Sequence, residues 1–296
     1  MSTATHKRFG HVRPILVTGA TGRVGSETIA HLVAAGLDVR ALTRRPEAAA
    51  LPPSVEVFGG DLDVPESIDA ALQGVSSVFL VWTAAPTTIP AVIERIASHA
   101  SRIVFLSAPH QTPHPFFQQP NPMAEMHKEI ERHIAAANIP STILRPGMFA
   151  SGALLWWADT IRRRDVVRWP YAAAETAPVD ERDVGAAAAR VLYDDRHVGG
   201  DYVLTGPESL SQERQVQIIG EAIGRAIPFE EISPEAFRRE TAETWPRSIV
   251  DMLLSAWGAT IGHPAFVTST VAEITDMPPR PFRRWAVDHA ELFAGG

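Results

Sequence analysis

Regular patterning begins at Pro14-Ile15-Leu16-Val17-Thr18, a short β-branched and apolar run that ends in glycines. Val24 to Ala35 then carries apolar residues at helical spacing, so this stretch predicts a strand, a tight turn and a helix. Gly36 closes the helix, Asp38 to Thr43 predicts a second strand, and Val55-Glu56-Val57-Phe58 predicts a third ahead of Gly59-Gly60-Asp61. The alternation continues with a helix over Pro65 to Leu72, a buried strand over Ser77 to Val81, a helix over Ile89 to Ala97 and a strand over Arg102 to Leu106. A proline-rich loop from Pro109 to Pro122 leads to a helix over Met123 to Ala137 and a sixth strand, Ser141-Thr142-Ile143-Leu144. Strands joined by helices in this order build a parallel sheet with right-handed crossovers, so the fold class is α/β, a Rossmann-type doubly wound sheet.

Beyond Pro146 the pattern is less regular, with Trp156, Trp157 and Trp169 close together and a strand expected at Asp201-Tyr202-Val203-Leu204. The expected organisation is a flexible tail over 1–13, an NAD(P)-binding core over 14–155, and a smaller, mostly helical substrate part over 156–296. Within that last part, residues 201–205 are expected to return to the sheet. A 296-residue chain with 45% hydrophobic residues can bury a large core. A formal charge of -7 argues against a nucleic-acid or anionic-membrane surface, which needs clustered uncompensated cations, so the expected partner is a small molecule. The absence of cysteine removes thiolate chemistry, disulfides and iron–sulfur clusters, and fits a reducing compartment. With no apolar run long enough for a signal peptide or a membrane span, a cytoplasmic location is expected.

The chemistry concentrates first in Gly19-Ala20-Thr21-Gly22-Arg23-Val24-Gly25. A glycine-rich turn between a strand and a helix lets backbone N–H groups approach a pyrophosphate, and the helix N-terminus adds favourable dipole charge. NAD-specific sites often place an acid at the end of the second strand, whereas this chain has Thr43-Arg44-Arg45. A guanidinium matches a 2′-phosphate by charge and forked hydrogen bonds, so Arg44, with Arg45 as second candidate, points to NADP(H) in preference to NAD(H).

With those pieces in place the sequence resembles the NmrA-like, atypical short-chain dehydrogenase/reductase family of NAD(P)-binding proteins. The resemblance rests on Thr18 to Gly25, Ala41-Leu42-Thr43-Arg44-Arg45-Pro46, Gly60-Asp61-Leu62, Phe105-Leu106-Ser107 and Thr142 to Phe149, with Val179 to Val184 and Leu204 to Ser211 further on. It implies that Asp61 and Leu62 line the adenine. It further implies that Leu80, Val81 and Trp82 border the ribose and pyrophosphate, and that Pro146, Gly147, Met148 and Phe149 flank the nicotinamide.

The tyrosine-dependent reductases of the superfamily place a tyrosine acid four residues before a lysine. Lys128 aligns with that lysine, but Ala124 stands at the tyrosine position, and Tyr171, Tyr193 and Tyr202 have no lysine at that spacing. Candidates for the chemistry are therefore Lys128, which lies opposite the Met126, Ile130, Ile134 stripe, and Ser107 at the carboxyl end of the fifth strand. Ser107 also suits a cofactor or substrate hydrogen bond. His110 is the candidate proton donor in the proline-stiffened loop it shares with His114, and His127 is a weaker one. No carboxylate cluster accompanies the histidines, so no metal is expected. Trp156, Trp157 and Trp169 suit either an apolar substrate pocket or ordinary core. The functional expectation is an NADPH-dependent reductase that passes hydride to a small apolar or aromatic acceptor such as a quinone or enone. The alternatives are a non-catalytic NADP(H) sensor that binds a protein partner and a cofactor-retaining isomerase or dehydratase.

Overall fold

A computed structural model of the chain describes residues 13–164 and 166–294. The tail expected over 1–13 therefore lies outside the described residues, except for Arg13. In chain order the elements begin with β1 (Ile15–Val17), α1 (Arg23–Ala34), β2 (Val39–Thr43), β3 (Glu56–Gly59), α2 (Asp69–Leu72), β4 (Ser77–Leu80), α3 (Ile89–His99) and β5 (Arg102–Leu106). They continue with α4 (Pro122–Ala136), β6 (Ser141–Pro146), α5 (Gly152–Arg164), β7 (Val167–Trp169), β8 (Glu175–Thr176), α6 (Glu181–Tyr193) and β9 (Asp201–Leu204). The last elements are β10 (Leu210–Ser211), α7 (Gln212–Ala222), β11 (Phe229–Glu231), α8 (Pro234–Glu240), α9 (Arg247–Gly258), α10 (Thr270–Thr275) and α11 (Phe282–Asp288).

A seven-stranded parallel sheet runs in the order β3-β2-β1-β4-β5-β6-β9. The strand order reverses direction beside β1, the switch point at which open α/β sheets bind ligands. Every residue of β1 and β4 is buried, as expected of strands covered on both faces. Helix α1 buries Val24, Thr28, Ile29 and Leu32, and α3 buries Ile89, Val92, Ile93 and Ile96, so the helical spacing read from the sequence is the buried stripe. Each such aliphatic side chain contributes roughly 1.5–3 kcal/mol on burial. The helix expected over 65–72 is instead a 3₁₀ turn, Pro65–Ile68, running into the short α2.

The chain divides into two compact units, one made of residues up to Leu106 with 130–142 and 188–200, the other of 107–129, 143–187 and 201 onward. The second unit has an aromatic core. Trp157, Trp257 and Trp285 are fully buried and Trp169 nearly so. Trp169 packs edge-on to Phe237 at 4.6 Å and to Trp157 at 6.3 Å between ring centroids. The small sheets β11-β7 and β10-β8 belong to this unit. Its C-terminal segment is tied to the start of α6 by charge: Arg280 Nε donates to Asp180 at 2.7 Å, and the Arg280 backbone N–H donates to the Asp183 carboxylate at 2.7 Å.

Candidate functional site

In the first unit a groove of about 700 Å³, open to solvent, is lined by Thr18, Gly19, Thr21, Gly22, Leu42, Thr43, Arg44, Gly60, Asp61, Leu62, Val81 and Thr83. Its floor is set by Thr18, whose hydroxyl lies 3.1 Å from the Val81 carbonyl and accepts from the Val81 N–H at 2.8 Å, joining the ends of β1 and β4. Gly19 has φ +58°, a left-handed conformation that glycine adopts without penalty, and Gly22 N–H donates back to the Gly19 carbonyl at 2.9 Å. Helix α1 starts at this turn with no side-chain cap and no acidic residue in its first turn. Its positive dipole end is therefore left for an external anion. These features fit a dinucleotide pyrophosphate.

Of the residues predicted for the cofactor, the groove gathers Gly19, Thr21, Gly22, Thr43, Arg44, Asp61, Leu62 and Val81. Arg44 is exposed and forms no ion pair among the described residues, whereas Arg45 caps the 3₁₀ turn Pro46–Ala48 with its backbone. Arg23 is exposed on α1, and Val24 and Gly25 are buried beneath the loop. Leu80 is fully buried within β4, and Trp82 is buried with its indole N–H on the Ala84 carbonyl at 2.7 Å. Neither lines the groove. Thr18, Leu42 and Gly60 stand in the motifs that carry the resemblance but receive no role from it, and Thr83 lies outside them, because a lining position at a strand end carries no residue-type signature.

In the second unit an apolar cleft, with about 500 Å³ of non-protein space that includes its opening to solvent, is lined by Ala108, Pro109, His110, Phe116, Phe117, Gln119, Pro120, Asn121, Ala124, Met148, Met252, Leu253 and Ala256. The loop after β5, the first turn of α4, the segment after β6 and helix α9 supply these walls. Ala124, 7% exposed and four residues before Lys128, is part of the lining. Asn121 caps α4 by accepting from the Met123 N–H at 2.9 Å.

Ser107 and His110 come together around Arg145, whose Nη1 donates to the Ala108 carbonyl at 2.9 Å and contacts Ser107 Oγ at 3.4 Å and His110 Nδ1 at 3.5 Å. Lys128 is elsewhere: its side chain is 46% exposed and its ammonium pairs with Glu125 at 2.7 Å, one turn away on the same helix. His114 is a loop staple, with Nε2 donating to the Pro264 carbonyl at 2.9 Å and Nδ1 accepting from Phe116 N–H. His127 donates to the Met123 carbonyl on its own helix. Pro146 ends β6, the Gly147 N–H donates to the Leu204 carbonyl at 2.8 Å, and Phe149 bridges to Val179.

Trp157 and Trp169 lie in the aromatic core, with Trp156 packed against it, and none of the three lines the cleft. Trp157 meets both Trp156, at 5.6 Å, and Trp169, at 6.3 Å between ring centroids, in edge-to-face packing typical of an aromatic core. Among the described residues no three His, Asp or Glu side chains are grouped to hold a metal ion, and no helix is long and apolar enough to cross a membrane. The residues that sequence reasoning missed are Arg145, lying unassigned inside a motif, and Met252 and Leu253, more than a hundred positions from the loop they face.

The model of the NmrA-like family matches residues 12–256. The chain is 38% identical over 287 residues to the (4-alkanoyl-5-oxo-2,5-dihydrofuran-3-yl)methyl phosphate reductase of Streptomyces griseus, covering 95% of this chain and 99% of that protein. It is 29% identical to the NAD(P)H azoreductase of Xenophilus azovorans, covering 94% and 99%. In fold it is similar to the NADPH-dependent quinone oxidoreductase of Escherichia coli complexed with NADPH, with a TM-score of 0.79 at 23% identity over 93% of this chain and 99% of that one.

Proposed function

Since the chain belongs to the NmrA-like family, we propose that it is an NADPH-dependent reductase whose acceptor is a small, apolar, electron-poor molecule, a quinone or an enone. The observation that carries this reading is the cleft in which Ala124 takes the place of the catalytic tyrosine among Phe117, Met148, Met252 and Leu253. A methyl group there leaves room for a planar acceptor and supplies no acid. That suits an acceptor that takes hydride readily and draws its proton from water. Relatives named as an alkanoyl-dihydrofuranone methyl phosphate reductase and an NAD(P)H azoreductase support a reductase reading.

NADPH, when bound, supplies the hydride. In this reading the Gly19 to Gly25 loop and the start of α1 hold the pyrophosphate, Arg44 meets the 2′-phosphate, and Asp61 and Leu62 border the adenine. Ser107 offers a hydrogen bond to cofactor or substrate, and the segment Pro146 to Phe149 flanks the nicotinamide. Met148, which belongs to that segment, also lines the cleft. The apolar walls orient the acceptor and exclude water, which strengthens every polar contact made inside. Lys128 is left out of the chemistry because it is engaged with Glu125 at the surface. Steady-state loss of reduced-nicotinamide absorbance with a panel of naphthoquinones and cyclic enones tests the reading. Saturable turnover with at least one acceptor class is expected, and tight NADPH binding with no turnover on any of them contradicts it.

A further inference from the structure

Arg145 is among the largest fully buried side chains, at 2% exposure, and it is charged. A guanidinium withdrawn from water is costly unless its charge and its N–H groups are met. Asp201 meets the charge. The β6–β9 register pairs Ile143 with Asp201 and Arg145 with Val203, so alternation places Arg145 and Asp201 on one face of the sheet as diagonal neighbours. The guanidinium forks onto the carboxylate, Nε to Oδ1 at 2.6 Å and Nη2 to Oδ2 at 2.9 Å. The remaining nitrogen, Nη1, is directed at the loop after β5, where it meets Ala108, Ser107 and His110.

A guanidinium has no acceptor, so a hydrogen bond across its 3.5 Å contact with His110 requires Nδ1 to accept, which puts the ring proton on Nε2. His110 lines the apolar cleft. We propose that Arg145 and Asp201 are a positioning pair that fixes His110 as the Nε2–H tautomer, and that His110 is the hydrogen-bond donor to the acceptor's carbonyl oxygen. This rests on the reductase reading above. In the reduction of an enone, a C–H bond forms at the β-carbon with hydride from NADPH, and the π pair moves onto the carbonyl oxygen. That oxygen, gaining negative charge, takes a stronger hydrogen bond from His110 Nε2–H than the neutral carbonyl did. Water supplies the proton that completes the saturated ketone, so one NADPH and one proton are consumed and one NADP⁺ is released. The fixed positive charge beside Nδ1 polarises the ring and strengthens the donor on its far side. It also disfavours the other tautomer, which would set two N–H donors against each other.

Two readouts test the pair separately from the activity itself. In the protein labelled with ¹⁵N-histidine, the His110 nitrogens should show the Nε2–H pattern at neutral pH, and Arg145→Met should mix or invert it. Asp201→Asn, which keeps a side-chain acceptor for the guanidinium at a half-exposed position, should loosen the pattern in the same direction and serves as the second variant should Arg145→Met fail to fold. In kinetics, His110→Phe should lower kcat by about a hundredfold, the usual loss for one oxyanion donor, with KM changed by less than about threefold. Arg145→Lys, which keeps the charge but not the fork, should recover part of what Arg145→Met loses. An Nδ1–H pattern in the parent protein overturns the proposal, as does full turnover in His110→Phe. A parent protein that binds NADPH but reduces nothing removes the reductase reading and this proposal with it, whereas an active parent with an indifferent His110 removes only this proposal.

Discussion

A side chain on Gly25 would have to occupy the place of the Gly19 carbonyl, since its Cβ would lie 2.2 Å from that oxygen. The contact closes the phosphate loop on the first turn of α1 and makes Gly25 a packing position. Gly22 differs, because its Cβ would lie 3.1 Å from the same oxygen, tight but open to small adjustment, and Gly22 lines the groove. Gly22→Val should therefore fold and lose NADPH affinity by about a hundredfold or more through steric exclusion, while Gly25→Val should lose much of the folded protein. Circular dichroism melts and titration of tryptophan fluorescence with NADPH separate the two outcomes.

Arg44 lies on the groove and Arg45 does not line it, which supports the proposal that Arg44 meets the 2′-phosphate. Charge-assisted hydrogen bonds contribute roughly 1.5–3 kcal/mol, so Arg44→Ser should weaken NADPH binding by about ten- to a hundredfold and NADH binding little. Because the arginine is exposed, added salt should weaken NADPH more than NADH in the parent protein. Calorimetric titration of both cofactors against both variants checks this, and an unchanged NADPH:NADH ratio would rule out the assignment.

Restoring the tyrosine should not restore the tyrosine mechanism. Ala124→Tyr recreates the spacing to Lys128, but that lysine is committed to Glu125, and the new ring fills the cleft from its α4 side. We expect KM for a quinone to rise by about ten- to a hundredfold with no gain in kcat, and NADPH affinity to stay within about twofold. Michaelis–Menten curves with and without the substitution decide the point.

The Asp183 carboxyl is pushed up to about 6, chiefly by burial, with Asp180 adding to the effect and the Arg280 N–H and charge opposing it. In the unfolded chain an aspartate titrates near 3.9, so between about pH 4 and pH 6 the folded state holds a proton that the unfolded state has released. This group's contribution to stability therefore falls as pH rises across that window and is flat above it. Asp183→Asn keeps an acceptor for the Arg280 N–H and removes the buried charge. It should stabilise the protein at pH 7.5 by about 1–2 kcal/mol after allowance for solvent screening, and change little at pH 4. Urea melts at the two pH values measure the difference.

Most of the sheet was legible in the chain because β1, β4 and β5 are apolar runs and α1 and α3 are one-sided, and both signals are local. The glycine loop was legible for the same reason: Gly19, Gly22 and Gly25 act within one turn. The cleft was not, because it joins Phe117 and Met148 to Met252 and Leu253 on α9, and no spacing rule connects residues so far apart. Arg145 was quoted only as part of a motif, since its partner Asp201 is defined by strand register, which the sequence does not state. The tryptophans were marked by their number, but nothing local distinguishes an aromatic core from an aromatic pocket.

The central claim is that this chain moves hydride from NADPH to an electron-poor acceptor. Its most direct measurement is isotope tracing with NADPH carrying deuterium at both positions of the reactive nicotinamide carbon and a cyclic enone as acceptor in ordinary water. The account predicts one deuterium at the β-carbon of the saturated product, solvent hydrogen at the α-carbon, and one NADP⁺ formed per product. Product formed without deuterium, or NADPH bound but never oxidised while the acceptor is recovered unchanged, would contradict it.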